Sequence, residues 1–480
     1  MGNFLIIAFA FSLFILPQLF ISSLGKLYDA PRYICLGYSI ATGNGYRFIF
    51  HPHNKLCFYN NFLFPYILAP VIKLKEIDFF SLKLAMIILS IIAIILFIKW
   101  AERFYEKEKA VYLSLLFLSS ALFIEFSDKV MTEIPSLVFL LSSFLLFQAW
   151  IKSRKNIHIL ALALSIYCLI FTRIPGIAFL LGVIIYAMAK KDKKLLGMGI
   201  IVFITVLITI GIIQGRVDPE DKFYHIKYLL YKNPFNPEAG YVSPEDMIVR
   251  IIKNFKFYII NMGRICIQFP HKSVLLSLLT LLVILNGIFK LHPSTRAFYL
   301  SSFIIYFFYF LIWPWQDTRF LLPLLPLLIV MLFRGLNPLL NKLSPEWKKV
   351  PLTGILLLSF YGGYDKLTRK LTIENVYSPG VREFIEMGEW IGKGVKDNAV
   401  ILSSNPSLIY LLSFKKGVFL IYTTDSKKIS GYLKNNQVNY ILADCYNFEM
   451  KRYIYPWIYE NRERLKIEKI NGATVLFRID

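Results

Sequence analysis

Ionisable residues gather at a few places in an otherwise apolar chain. Glu125, Asp128, Lys129 and Glu133 form one group, Arg173 stands alone, Asp317 and Arg319 form a pair, and Asp29 follows the first apolar segment. A positioned carboxylate can take the proton from an attacking hydroxyl. Guanidinium and ammonium groups can hold the charge that develops on a departing phosphate. The set therefore suits transfer of a group from an anionic leaving group to an acceptor. Asp29 is the candidate base, and Lys129, Arg173, Arg264 and Arg319 are the candidate phosphate ligands.

The elements that must position these residues are membrane helices. The chain has 480 residues, is 56% hydrophobic and carries a net charge of +23. With a mean hydropathy of +0.55, this composition marks an integral membrane protein rather than a soluble enzyme or a nucleic-acid binder. Stretches 110–150, 157–189 and 297–333 are each about twice the ~20 residues needed to cross a bilayer. Each is basic at its ends and charged at its midpoint, so each reads as a hairpin of two helices. Eleven spans follow, near 3–24, 79–99, 110–124, 134–151, 157–171, 175–189, 195–213, 273–289, 297–312, 320–334 and 350–366. Segment 3–24 lacks a basic start and a cleavage site and reads as a retained span.

Lys and Arg near span ends set orientation. The loops 99–109, 152–155, 190–194, 290–296 and 334–349 hold seventeen of them, against three at the hairpin tips. The basic loops therefore face the cytoplasm, and the midpoint charges and Asp29 face outward. Two outer loops are long, 25–78 and 214–272. The first should hold a helix from Pro31 to about Ile40, stopped at Gly43-Asn44-Gly45, and a second apolar piece over 62–72. In the other, 247–269 reads as an amphipathic interfacial helix. Residues 367–480 alternate helical and strand patterns and end in a hairpin turned at Asn471-Gly472, which predicts a small extracytoplasmic α/β domain. The fold expected is thus mainly α: a polytopic membrane domain, 1–366, followed by that domain.

Alternative readings stand beside each candidate. Asp29 precedes Pro31 and could cap a helix. Asp128 could pair with Lys129, and Glu133 could be a first-turn helix charge. Arg173 could be a snorkelling anchor, and Arg319 could simply pair with Asp317. His51 and His53 flank Pro52 and could contact a metal or phosphate, although loop histidines are more often just solvated. Trp313 and Trp315 read as interface aromatics. Cys35 and Cys57 share a loop and could pair, while two free thiols are the simpler expectation; no C-x-x-C occurs.

Outside the membrane no nucleotide supply exists, so an activated donor must be lipid-borne, and a polyprenyl-phosphate sugar has the right depth and leaving group. The chain here resembles the GT-C membrane glycosyltransferases, in the branch of protein O-mannosyltransferases and lipid A aminoarabinose transferases. The resemblance rests on the order and placement of four motifs. They are Tyr28-Asp29 with the Leu36–Tyr46 run, Ser127 to Pro135, Thr172-Arg173-Ile174-Pro175-Gly176, and Asp317 to Pro326. It implies an inverting sugar transfer from a polyprenyl-phosphate donor to a glycan, lipid or protein acceptor at the cell membrane. It also implies that Asp29 is the base and that Asp128 and Glu133 are supporting catalytic acids. Many relatives have adjacent acids in the first loop, whereas Ala30 follows Asp29. A reaction needing no cofactor is therefore expected, with a divalent metal as the alternative. Competing functions are a polyprenyl-diphosphate-dependent polymerase or O-antigen ligase, and a non-enzymatic flippase or scaffold.

Overall fold

A computed structural model describes residues 2–21, 29–219, 221–268, 273–372 and 377–480. Tyr28, the end of the first expected span and Phe269 lie outside the described residues. Four helices are long and apolar enough to cross a membrane: Phe79–Ala101, Glu133–Ser153, Lys193–Gly215 and Thr318–Leu340. Shorter apolar helices occupy Leu5–Phe20, Asn156–Thr172, Ile174–Ala189, Val274–Phe289 and Thr295–Leu311. Segment 110–124 is not one continuous helix. Lys107–Leu118 stops at Ser119 and Ala121–Phe126 restarts after Ser120, because these short hydroxyl residues favour helix ends over interiors. Segment 350–366 lies within a longer helix, Pro345–Thr372, which passes the expected domain boundary.

Apolar side chains such as Ile88, Ile92, Ile201, Leu207 and Ile208 point outward from the long helices, as helices facing lipid require. Inside, small residues permit close helix approach. A Cβ at Gly287 would lie 1.9 Å from the Met331 carbonyl oxygen. Helix Val274–Phe289 therefore tolerates only glycine where it meets Leu325–Leu340.

The first long loop begins with helix Asp29–Ala41, and Gly43 and Gly45 beyond it adopt φ of 82° and 75°, the left-handed stop that glycine allows. It continues to Leu63–Lys75, which packs on the first helix. The amphipathic segment of the other loop is helix Pro244–Ile267, opened by a capping box between Ser243 and Asp246.

The C-terminal sheet contains β1 (Val400–Leu402), β2 (Lys416–Val418), β3 (Tyr440–Ala443), β4 (Leu465–Asn471) and β5 (Thr474–Ile479) in the order β2-β1-β3-β5-β4. The first three are parallel and the hairpin is antiparallel. The sequence pattern suggests a strand over Val418 to Tyr422, but β2 ends at Val418, and Leu420 to Tyr422 pack on the core without extending the ladder. The sheet domain shares a core with the first long loop, in which Tyr410 and Leu411 join Tyr33, Phe48, Phe50 and Phe64. Gly417 N–H donates to the Phe50 carbonyl at 2.7 Å and Cys35 Sγ to the Ser407 carbonyl at 3.3 Å. Glu238 and Phe235 of the other long loop accept from Thr424 and Tyr453. All five cysteines are free, with Cys35 and Cys57 buried.

Candidate active site

Helix Asp29–Ala41 starts with an acid in its first turn, where unpaired backbone N–H groups favour negative charge. Asp29 Oδ1 accepts from Arg32 Nη2 at 2.6 Å, one helical turn on, and Oδ2 from Arg319 Nη1 at 2.7 Å. Arg319 is the second residue of the segment Thr318–Leu324, and its Nε lies 3.2 Å from Asp317 Oδ2. Its Nη1 is also 3.8 Å from Glu133 Oε1, which accepts from Arg173 Nη1 at 2.6 Å. Asp29, Glu133, Asp317, Arg32, Arg173 and Arg319 thus form one network. Three carboxylates balance three guanidiniums, and four chain segments meet there.

Aromatic rings fix the guanidiniums. Arg173 and Arg319 both lie over Phe320, at 5.5 and 5.3 Å, and Arg32 lies over Tyr59 at 4.3 Å. Burial, followed by the Asp29 charge, pushes the Tyr33 phenol up to about 12, so it remains a neutral donor. Burial and then the Arg32 charge lower His225 to about 4, leaving a neutral imidazole 5.9 Å from the Tyr59 ring. Several buried polar atoms around this network have no hydrogen-bond partner among the described residues: Glu133 Oε2, Arg32 Nε, Asn61 Oδ1 and His225 Nε2. Unsatisfied groups are costly and rare, and their concentration here marks a place where a ligand can bind. Asp29 remains 21% exposed at its side chain.

The remaining candidates are elsewhere. Asp128 is fully buried, with Lys370 Nζ at 2.7 Å and Lys83 Nζ at 3.2 Å. The same lysines bond Gln18, Ile21 and Ile124, so this group joins the first helix, Phe79–Ala101, the 121–133 tip and Pro345–Thr372. Lys129 lies 3.4 Å from Glu125, which Lys366 also contacts. Arg264, in the last turn of Pro244–Ile267, makes no ion pair among the described residues. His51 is buried, and its Nδ1 accepts from the His53 N–H at 3.2 Å, while His53 Nε2 meets the Asn435 carbonyl at 3.1 Å. The two histidines belong to the seam with the sheet domain rather than to the network.

Among the described residues, no group of three or more His, Cys, Asp or Glu side chains converges as a metal site. Both oxygens of Asp29 already carry guanidiniums, a donor set that does not suit a divalent cation. Glu76-Ile77-Asp78 does form an E-x-D at the far end of the first loop. There Asp78 caps Phe79–Ala101, accepting from the Phe80 and Ser81 N–H groups.

Arg32 of the network, and Tyr59 and His225 beside it, escape the sequence reading. Arg32 had a signal, since a cation three residues after Asp29 on a helix shares its face. The other two reach the site through tertiary folding alone.

No protein-family model matches the chain, and no curated protein does. Solved structures do. ArnT from Cupriavidus metallidurans bound to undecaprenyl phosphate matches with a TM-score of 0.64 at 12% identity, over 99% of this chain and 98% of that one. The apo state of the same enzyme gives 0.60 at 10% identity, over 99% and 97%. The Archaeoglobus fulgidus oligosaccharyltransferase, in complex with Zn and sulfate, gives 0.59 at 13% identity, over 92% and 67%. From its first helix to its terminal hairpin, the chain shares the overall fold of these structures.

Proposed function

We propose that the chain is a membrane glycosyltransferase that moves a sugar from a polyprenyl-phosphate donor to an acceptor at the outer face of the cell membrane. One observation carries the reading. The partly buried Asp29, clamped between Arg32 and Arg319, sits in a fold matched along nearly its whole length by an ArnT structure bound to undecaprenyl phosphate. Eleven spans, an outward site and a sheet domain beginning near residue 367 complete the proposal.

Asp29 accepts from two guanidiniums, so its oxygens are engaged and the observed arrangement is a resting one. A donor phosphate competes for the same planar guanidinium donors. As Arg319 and Arg32 turn towards it, Asp29 is released. The acceptor oxygen then attacks the anomeric carbon from the side opposite the phosphate, and its proton passes to Asp29. The new carbon–oxygen bond forms as the bond to the phosphate oxygen breaks. The electron pair leaves on polyprenyl phosphate, whose charge the arginines hold, and the anomeric configuration inverts. Glu133 positions Arg173 and Arg319, and Asp128 and Lys129 hold the 121–133 tip in place.

The test uses wild type and Asp29→Asn in lipid nanodiscs with a panel of polyprenyl-phosphate sugars and envelope extract. Mass spectrometry follows free polyprenyl phosphate. Release by wild type, reduced by two or more orders of magnitude in the variant, is the expected outcome. Release that survives the substitution removes Asp29 as base. A second reading, a diphosphate-linked donor in a polymerase or ligase, draws on the three converging arginines. It predicts no release from any monophosphate donor and loss of function in Arg173→Ala.

A further inference from the structure

At the opposite end of the same helices lie two neighbouring cavities of about 600 and 460 Å³, with Phe104 and Arg334 in the walls of both. The first contains acids as well as lysines. No carboxylate lines the second; Arg103, Lys152 and Arg334 do, with Gln148 and His292 beside them. Arg334 is held in place by donating Nε and Nη2 to the Lys290 carbonyl at 3.1 and 2.9 Å. Gln148 donates Nε2 to the Tyr299 hydroxyl at 3.0 Å, while its Oε1 is buried and has no partner among the described residues.

We infer that this second cavity binds the phosphate of an anionic ligand. Arg103, Lys152 and Arg334 supply the charge that meets it. The depth favours a lipid. Helix Glu133–Ser153 carries Glu133 of the charge network at one end and Lys152 of the cavity at the other. Nineteen residues at ~1.5 Å each give about 28 Å, close to the ~30 Å hydrocarbon thickness. The cavity therefore sits at the headgroup level of the opposite leaflet, which the basic loops assign to the cytoplasm. General positive-inside charge explains lysines spread over this face, but not three cations gathered at one recess whose described lining holds no carboxylate.

The experiment is native mass spectrometry of the detergent-purified full chain titrated with phosphatidylglycerol. The double variant Arg103→Gln/Lys152→Gln removes two exposed cations of the cavity. Lys193→Gln/Lys194→Gln removes two cations from another loop of the same face and serves as the control; Arg319→Gln reports on the charge network. Retention of one lipid should weaken at least tenfold in the cavity variant alone. Unchanged retention in that variant overturns the inference, and so does an equal loss in the control, which would mean diffuse charge. Loss only in Arg319→Gln assigns the lipid to the network and also overturns it. Competition by inorganic phosphate identifies the source. Displacement of the lipid by millimolar phosphate indicates a soluble phosphate ligand, and persistence of the lipid indicates a headgroup. Donor-release activity is not read, so the result stands apart from the sugar-transfer proposal.

Discussion

Asp29 and Asp128 are the same side chain, each between two cations, yet their surroundings differ. Asp29 meets two arginines and stays 21% exposed. Asp128 meets two lysines and is sealed, with nothing exposed. Lys370 has further bonds to Gln18, Ile124 and Glu125, so its donors are committed to the protein. The guanidiniums around Asp29 lie over aromatic rings, and Arg32 Nε has no partner among the described residues. Partner chemistry and access, rather than the presence of a buried acid, separate a reactive centre from a structural knot. An ammonium wrapped in carbonyls fastens helices, whereas a ring-stacked guanidinium with spare donors is poised for an incoming anion.

The largest effect expected along this contrast is on rate. Asp29→Asn should lower donor release about a thousandfold, with an unfolding midpoint moved less than in any Asp128 variant. Equal losses of activity in Asp29→Asn and Asp128→Asn, per folded molecule, would erase the distinction. Asp128→Ala should show the opposite signature. Leaving two buried lysines without their carboxylate costs about 3–5 kcal/mol, to be read as a lower midpoint and a poorer yield of monodisperse protein. Activity of the surviving fraction should stay within a few fold.

Arg319→Lys sharpens the comparison, because it keeps the charge and loses the fork. A fall in donor release of roughly 10- to 100-fold is expected, from one or two charge-assisted hydrogen bonds of ~1.5–3 kcal/mol. Wild-type rates in this variant would make Arg319 a mere counter-ion. The smallest effect concerns His51, which burial and then the nearby Lys55 charge lower to about 4. The unfolded chain takes up this proton near pH ~6.5, so between 6.5 and 4 it binds more protons than the native state. Stability then falls as pH drops through that window. His51→Asn removes this contribution. Thermal scans from pH 7.5 to 5 should show wild type losing ground to the variant, with donor release unchanged at pH 7.5.

What could be read from the chain follows from the range of each interaction. The sheet domain was legible because its elements alternate cleanly and end at Asn471-Gly472. The helical turns over Met450–Glu460 escaped, although Met450, Tyr453, Ile454, Trp457 and Ile458 have perfect helical spacing and are all buried. Pro456 in their midst reads as a breaker, yet it occupies the first turn of Tyr455–Glu460, where no N–H is needed. In the candidate site, Asp29, Glu133, Arg173 and Arg319 were visible as charges at the ends of apolar runs. Their pairing was not, because Arg319 reaches Asp29 across 290 positions. Lys83 illustrates a missed signal, since a lone lysine inside the span Phe79–Ala101 demands a buried partner. Its partner Asp128 belongs to a tip that the sequence turns outward, where Lys129 is the nearest expected partner, and the fold buries it against Lys83 and Lys370 instead.

The seam between the first long loop and the sheet domain bears on how this architecture can be edited. Phe48 and Phe50 pack on Phe419, Lys416 reaches Asn54, and Cys35 bonds Ser407 only two turns beyond Asp29. The helix that carries the acid is therefore cast against its neighbour as a mould. Trimming the chain after Thr372 would leave that apolar face bare. Grafting the corresponding module of a distant relative would set a foreign surface under the acid. Swaps of this sheet would succeed only when residues 29–75 travel with it as a single cassette.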